Sequence, residues 1–203
     1  FWNIVNVSQL GIPQKRKRVI IFGIREDLFA ERTPRLYYSN DEVKEKTVRD
    51  AIGDLPRELT EVIPNHIGTK HKVKINGYMG NRVTNWDAAS PTIVGRGGGT
   101  GGPVIIPHPD LHRRMSVREC ARIQTYPDDF VFTGSISSQY RQVGNSVPVN
   151  LGYYIGRLIN DYDKNIVKKQ NYIEFKKFTN TFKDKYTENL FHKYVWYNVV
   201  YEI

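Results

Sequence analysis

The sequence predicts a partial α/β fold: the last strands of an open sheet, a small loop-rich and mainly β middle region, and carboxyl-terminal helices. Three observations predict it. The apolar run Val19-Ile-Ile-Phe22 is rich in β-branched residues and suits a strand buried on both faces. From about Ala30 to Asp110 the chain breaks into short segments rich in Gly, Pro, Asn and Thr, with no strong helical period. After Ser116, apolar residues return at helical spacing.

Residues 1–29 read as strand, loop and strand, with Asn3–Val7 first, a basic loop at Gly11–Arg18 and then the apolar run. The loop sequence Gln14-Lys-Arg-Lys-Arg18 places four cations in five positions, which suits a solvated turn. It also suits a ligand site. Alternate residues of an extended segment share a face, so Arg16 and Arg18 are expected to project together beside the sheet's carboxyl end, where open α/β sheets bind ligands.

Residues 30–135 form the loop-rich unit, which contains Gly95-Arg-Gly-Gly-Gly-Thr-Gly-Gly-Pro103. That stretch lacks the Lys-Ser/Thr ending of a nucleotide P-loop. Flanked by Arg82, Trp86, Arg96 and His108, its glycines, Gly97 and Gly98 among them, allow a backbone to approach a DNA groove while guanidinium groups meet guanine edges or phosphates. A plain surface loop is the alternative.

Ser116-Val-Arg-Glu119 has the form of a capping box, so a helix should begin there and stop before Pro127. Cys120 lies inside that helix beside Val117 and Ala121, with no histidine closely following, and reads as a buried structural thiol. Residues 136–163 read as a helix returning to the sheet. Its start near Pro148 is acceptable in a first turn, and Leu151, Ile155, Leu158 and Ile159 share one face. The residues just before it, Gln139–Pro148, either offer backbone N–H groups and a positive helix end to a carboxylate or phosphate, or simply turn a helix–loop–helix corner. Residues 164–203 form a basic aromatic extension with eight Lys against four acidic residues, expected to be amphipathic helix or mixed structure.

The chain of 203 residues carries a net charge of +9, which favours a polyanionic partner, nucleic acid first. A single cysteine excludes an internal disulfide framework and fits a reducing cytoplasm. No apolar run approaches the roughly 18 residues of a membrane span, so no membrane partner is expected. The chain opens on Phe-Trp-Asn, in what reads as the middle of a fold, and is expected to be one piece of a larger protein.

Three blocks in order, Gly11–Arg18, Ser116–Phe130 and Tyr140-Arg-Gln-Val-Gly-Asn-Ser-Val-Pro-Val149, resemble the bacterial DNA (cytosine-5) methyltransferases. They look like that family's eighth, ninth and tenth sequence blocks, with the target-recognition region between the eighth and ninth. The resemblance spans roughly residues 3–160. It implies the end of a Rossmann-like methyltransferase sheet and a reaction on a cytosine flipped out of double-stranded DNA, where stacked ring atoms are out of reach. A cysteine thiolate adds to C6, C5 takes a methyl group from S-adenosyl-L-methionine, and elimination restores the ring. By the same resemblance Arg18 helps hold the flipped cytosine and Arg16 supports that pocket, while Asn145, Ser146 and Val147 line the methionine side of the cofactor site. Arg82 and Arg96 resemble arginines that read guanines, and Arg118 and Cys120 belong to the scaffold.

The family's Phe-x-Gly-x-Gly, Pro-Cys-Gln and Glu-Asn-Val blocks are not among these residues. The expectation is therefore a bacterial, cytoplasmic methyltransferase fragment or subunit of the restriction-modification type, inactive until an amino-terminal half, in the same or a separate chain, supplies the nucleophile. A non-catalytic, sequence-specific DNA-binding module is the alternative. A basic single-strand binder using the aromatic tail is a third.

Overall fold

A computed structural model describes residues 2–24, 35–37, 44–69, 84–95, 106–110, 113–163 and 172–174. The first element is β1 (Trp2–Asn6), followed by a 3-10 turn at Val7–Leu10 that Gly11 closes at φ 68. Left-handed backbone of this kind is open to glycine at little cost. Two strands follow, β2 (Gln14–Lys15) and β3 (Lys17–Ile21), and β3 pairs antiparallel with β1 so that Ile4 faces Val19.

Beyond them lie β4 (Arg35–Tyr37), α1 (Val48–Ile52) and β5 (Ser90–Pro91), then α2 (Val117–Ile123), α3 (Ile136–Asn145), α4 (Val149–Asp163) and β6 (Tyr172–Glu174). β5 runs parallel to β2 with Ser90 opposite Gln14, and β6 pairs antiparallel with β4. Among its described residues, the middle region thus holds two short strands and two short helices in otherwise irregular backbone. The mainly β character expected of it is not seen there.

The period of two along β1 and β3 sends alternate residues to opposite faces. One face packs Val5, Ile20 and Phe22 with Val7, Leu10 and Ile12 against Leu151, Ile155 and Leu158 of α4. Leu151 and Leu158 are buried as their spacing implies, each contributing about 2 kcal/mol on the usual area scale, whereas Ile159 is half exposed. The opposite face carries Ile4, Val19 and Ile21, exposed at 55%, 52% and 36%. The composition of Val19–Phe22 predicts burial on both faces. In the described residues the run is covered on one, because α4 and the 3-10 turn lie on a single side.

A second core joins α1, α2 and α3 through Val48, Ile52, Val117, Cys120, Ile123, Tyr140 and Val143, with Ile93 and Met115 from the loops. The span 136–163 therefore holds two helices rather than one, and they pack in different cores. The sequence does not announce α3, because Ser137, Ser138 and Gly144 dilute its helical signal. Its start is nevertheless marked, since the Ser135 side chain accepts from the Ser138 N–H.

Both α1 and α2 begin with complete capping boxes. Thr47 pairs reciprocally with Asp50, and Ser116 with Glu119. The α2 box is the one expected from sequence, and α2 gives way to Gln124 before Pro127 as expected. The α1 box is not anticipated, because five residues are too few to show a period.

Candidate functional site

The basic loop is laid against the segment Ser90–Gly95 by a ladder of bonds. Ser90 donates its N–H to the Pro13 carbonyl at 2.9 Å, and Thr92 donates its hydroxyl to the Lys15 carbonyl at 2.8 Å. The Gln14 side-chain oxygen accepts the Ile93 N–H at 3.1 Å, and Arg16 Nη1 donates to the Ile93 carbonyl at 2.7 Å. Arg16 is thereby buried, 6% exposed, while Arg18 is exposed and donates to the Lys17 carbonyl.

Alternation along an extended strand predicts that the two arginines project together. The structure buries one and exposes the other, and Arg16 occupies the break between β2 and β3, where strict alternation is lost. Burial, with the nearby charge of Arg18 second, lowers the Arg16 guanidinium to about 10, and burial also lowers that of Arg18. At about 10, Arg16 remains a cation at neutral pH.

The end of α3 meets the same segment. Gly144 lies so close to Val94 and Gly95 that a Cβ there would overlap their backbone, and the Asn145 carboxamide lies over the Gly95 α-carbon. Ser146 ends the helix in extended conformation and donates its hydroxyl to the Val143 carbonyl at 2.7 Å. Val147 is 57% exposed. Segment 93–95 thus touches Arg16 at one end and Asn145 at the other. Only Val94 lies between these contacts, which are two positions apart, about 7 Å of extended chain.

At the start of α4 the hydrogen bonds favour the plain corner over the anion site. Helix-end chemistry would offer its first amides to an anion, but Val149 donates to the Gln124 carbonyl and Asn150 to the Thr125 hydroxyl, both at 3.0 Å. The end of α2 caps α4, and these two donors are spent. What the turn leaves exposed includes the apolar branch of Val147 and the Asn145 side chain. An apolar branch and a carboxamide on one turn are the kinds of group that would suit a flexible thioether arm with a charged end.

Around α2 the polar groups are structural. Arg118 is wholly buried and donates to the carbonyls of Pro64, Pro127 and Phe130 at 2.8, 3.0 and 2.7 Å. Arg113 forks onto buried Glu119 with two bonds of 2.8 Å. His66 bridges the Ser116 hydroxyl and the Pro56 carbonyl. Cys120 sits in the core with its thiol pushed up to about 12 by burial, which leaves no thiolate near neutrality.

Trp86 and His108, which flank the glycine-rich stretch, make their contacts within the fold. Trp86 Nε1 donates to Asp110 at 2.7 Å, and His108 is buried edge-on to the Trp86 ring and 3.8 Å from Glu119. Arg82, Arg96, Gly97 and Gly98 lie outside the described residues.

Two side chains that sequence reasoning passes over organise the site. Gln14 donates Nε2 to Gln124 Oε1 at 3.0 Å, and Gln124 donates Nε2 to the Val143 carbonyl at 2.8 Å. Both are fully buried. Nothing in a single sequence distinguishes a buried glutamine from a solvated one, so no signal marks them.

Among known proteins, the family model for C-5 cytosine-specific DNA methylases matches residues 1–161. The type II methyltransferase M.MthTI of Methanothermobacter thermautotrophicus is 35% identical, over 78% of this chain and 55% of that protein. M.Sau96I of Staphylococcus aureus, also a type II methyltransferase, is 32% identical over 80% of this chain and 43% of its own. The chain spans about half the length of these curated relatives. The crystal structure of a DNA modification methyltransferase encoded within an Escherichia coli prophage superposes with a TM-score of 0.58 at 20% identity, covering 79% of this chain and 59% of that one, so the fold is methyltransferase-like. With the family model matching from Phe1 through the α4 region, and the three motif blocks meeting at Gln14, Gln124 and Val143, the chain belongs to the C-5 cytosine-specific DNA methylase family.

Proposed function

We propose that this chain is the carboxyl-terminal part of a DNA cytosine-5 methyltransferase that reads a short G·C-containing duplex site and completes the pocket for methyl transfer to a flipped cytosine. The observation that carries it is the convergence on segment 93–95, held by Arg16 at Ile93 and overlain by Asn145 at Gly95. Substrate-facing and cofactor-facing groups would thus share one strip of backbone, which continues directly into the glycine-rich recognition stretch.

Arg18 is exposed and is the residue proposed to hold the cytosine. A guanidinium supplies fixed donors to a ring carbonyl and stabilises negative charge that develops there. Arg16, pinned to Ile93, braces the pocket wall. Asn145, Ser146 and Val147 would hold the methionine arm of S-adenosyl-L-methionine, which supplies the methyl group when bound. In the recognition stretch, Arg82 and Arg96 would read guanine edges, with Gly97 and Gly98 letting the backbone approach.

The nucleophile must come from elsewhere, since buried Cys120 does not supply a thiolate. An amino-terminal half, in the same or a separate polypeptide, is proposed to bring it and to cover Ile4, Val19 and Ile21. The chain is then inactive alone, and the completed enzyme is proposed to work in the bacterial cytoplasm. Among the described residues, no helix is long and apolar enough to cross a membrane.

The test is transfer of a labelled methyl group to duplex DNA by the chain alone and by the chain combined with the amino-terminal part of a relative such as M.MthTI. Formation of 5-methylcytosine is expected in the combination alone. Transfer by the isolated chain would remove the need for a second half, and no transfer in either case would overturn the enzymatic reading. Specific duplex binding with no response to S-adenosyl-L-methionine would favour a non-catalytic DNA-binding module.

A further inference from the structure

Two hydrogen bonds bracket the turn Gly144–Pro148, and both end on Gln124. On one side its Nε2 donates to the Val143 carbonyl at 2.8 Å; on the other its backbone carbonyl accepts the Val149 N–H at 3.0 Å. A third bond leads away from the turn. Gln124 Oε1 accepts from Gln14 Nε2 at 3.0 Å, and the Gln14 oxygen takes the N–H of Ile93, the residue whose carbonyl holds Arg16.

Thr125 continues the staple by accepting the Asn150 N–H at 3.0 Å. It does so at φ 61, an uncommon and strained backbone for a β-branched residue. The arrangement answers a local deficiency, because Pro148 precedes α4 and has no side-chain acceptor with which to cap it. The missing cap is supplied from the end of α2.

We infer that Gln124, assisted by Thr125, is a positioning residue that sets Asn145, Ser146 and Val147 against Arg16, so that cofactor and cytosine pockets form in register. The inference rests on the methyltransferase reading above. A five-residue turn tied at both ends to one buried residue has little freedom of its own. Both side-chain bonds on Gln124 are buried, so losing one strands a carbonyl or an amide without water to replace the partner. The turn would then shift before the fold failed.

The test uses this chain combined with an amino-terminal catalytic part. S-adenosyl-L-methionine binding is followed by calorimetry without DNA, alongside amide hydrogen exchange at Val149 and Asn150. Gln124→Leu, which keeps the volume and the backbone carbonyl but removes the side-chain amide, is expected to weaken cofactor binding by about tenfold, the cost of a stranded buried bond, and, by loosening the turn, to speed exchange at both amides. Should Gln124→Leu fail to fold, the Thr125 pair decides. Thr125→Val, which keeps the shape and loses the acceptor, is expected to weaken binding several-fold, and Thr125→Ser to restore it. Parental affinity in Thr125→Val, or in a folded Gln124→Leu, would overturn the inference while leaving the enzymatic reading intact. A parent that binds no cofactor would overturn both.

Discussion

Gly144 and Gly95 approach so closely that a side chain on Gly144 would overlap the Gly95 nitrogen and the Val94 carbonyl. Backbone is the obstacle, and backbone in a packed segment yields little. Gly144→Ala is therefore expected to destabilise the chain by about 1–3 kcal/mol through overpacking. Gly152, inside α4 with open space where a methyl group would stand, should behave oppositely: Gly152→Ala should gain roughly 0.5–1 kcal/mol from helix propensity. Chemical denaturation of the two variants checks the sign of each.

Arg118 offers a second measurement. Its guanidinium is buried against three carbonyls that belong to loops on both sides of α2. Lysine carries a single point of charge and cannot reach them together. Arg118→Lys should cost about 3 kcal/mol, the scale for breaking a buried charged network, read as a lower denaturation midpoint. A loss below about 1 kcal/mol would mean that the carbonyls find water instead.

Arg18 and Arg16 should separate in kinetics. Arg18 is exposed while Arg16 is tied to Ile93, so the first is placed to meet substrate and the second to hold a wall. In the reconstituted enzyme, Arg18→Ala should lower kcat by about 100-fold or more, the usual scale for losing an electrostatic donor, with little change in DNA affinity. Arg16→Ala should lower kcat and also the melting temperature. Unchanged turnover in Arg18→Ala would remove that residue from the active site.

How far the sequence carries these points depends on whether the physics is local. The Ser116 box and the buried stripe of Leu151 and Leu158 are local patterns, and both are found where spacing puts them. Arg16 departs from its expected exposure because its environment is set by Ile93, a partner 77 residues away. The amides of Val149 and Asn150 look free in the sequence because Gln124 and Thr125, which take them, lie at another helix's terminus. The same distance hides the staple between Gln14 and Gln124. Contacts of this kind require the tertiary fold.

His108 gives a prediction in pH. It is 3% exposed, and its Nδ1 accepts the Asp110 N–H. Burial lowers its pKa below the ordinary 6.5; the charge of Glu119 opposes this and that of Arg113 adds to it, with Asp110 and Arg57 contributing less. A base with a depressed folded pKa binds its proton more readily in the unfolded chain. As pH falls from about 6.5 toward the lower folded value, the unfolded state takes up the proton first and stability drops. His108→Gln cannot take up that proton, so its melting temperature should fall less steeply than the parent's between pH 7 and 5. Parallel curves would mean that His108 is protonated equally in both states, and that its contact with Glu119 fully offsets the cost of burial.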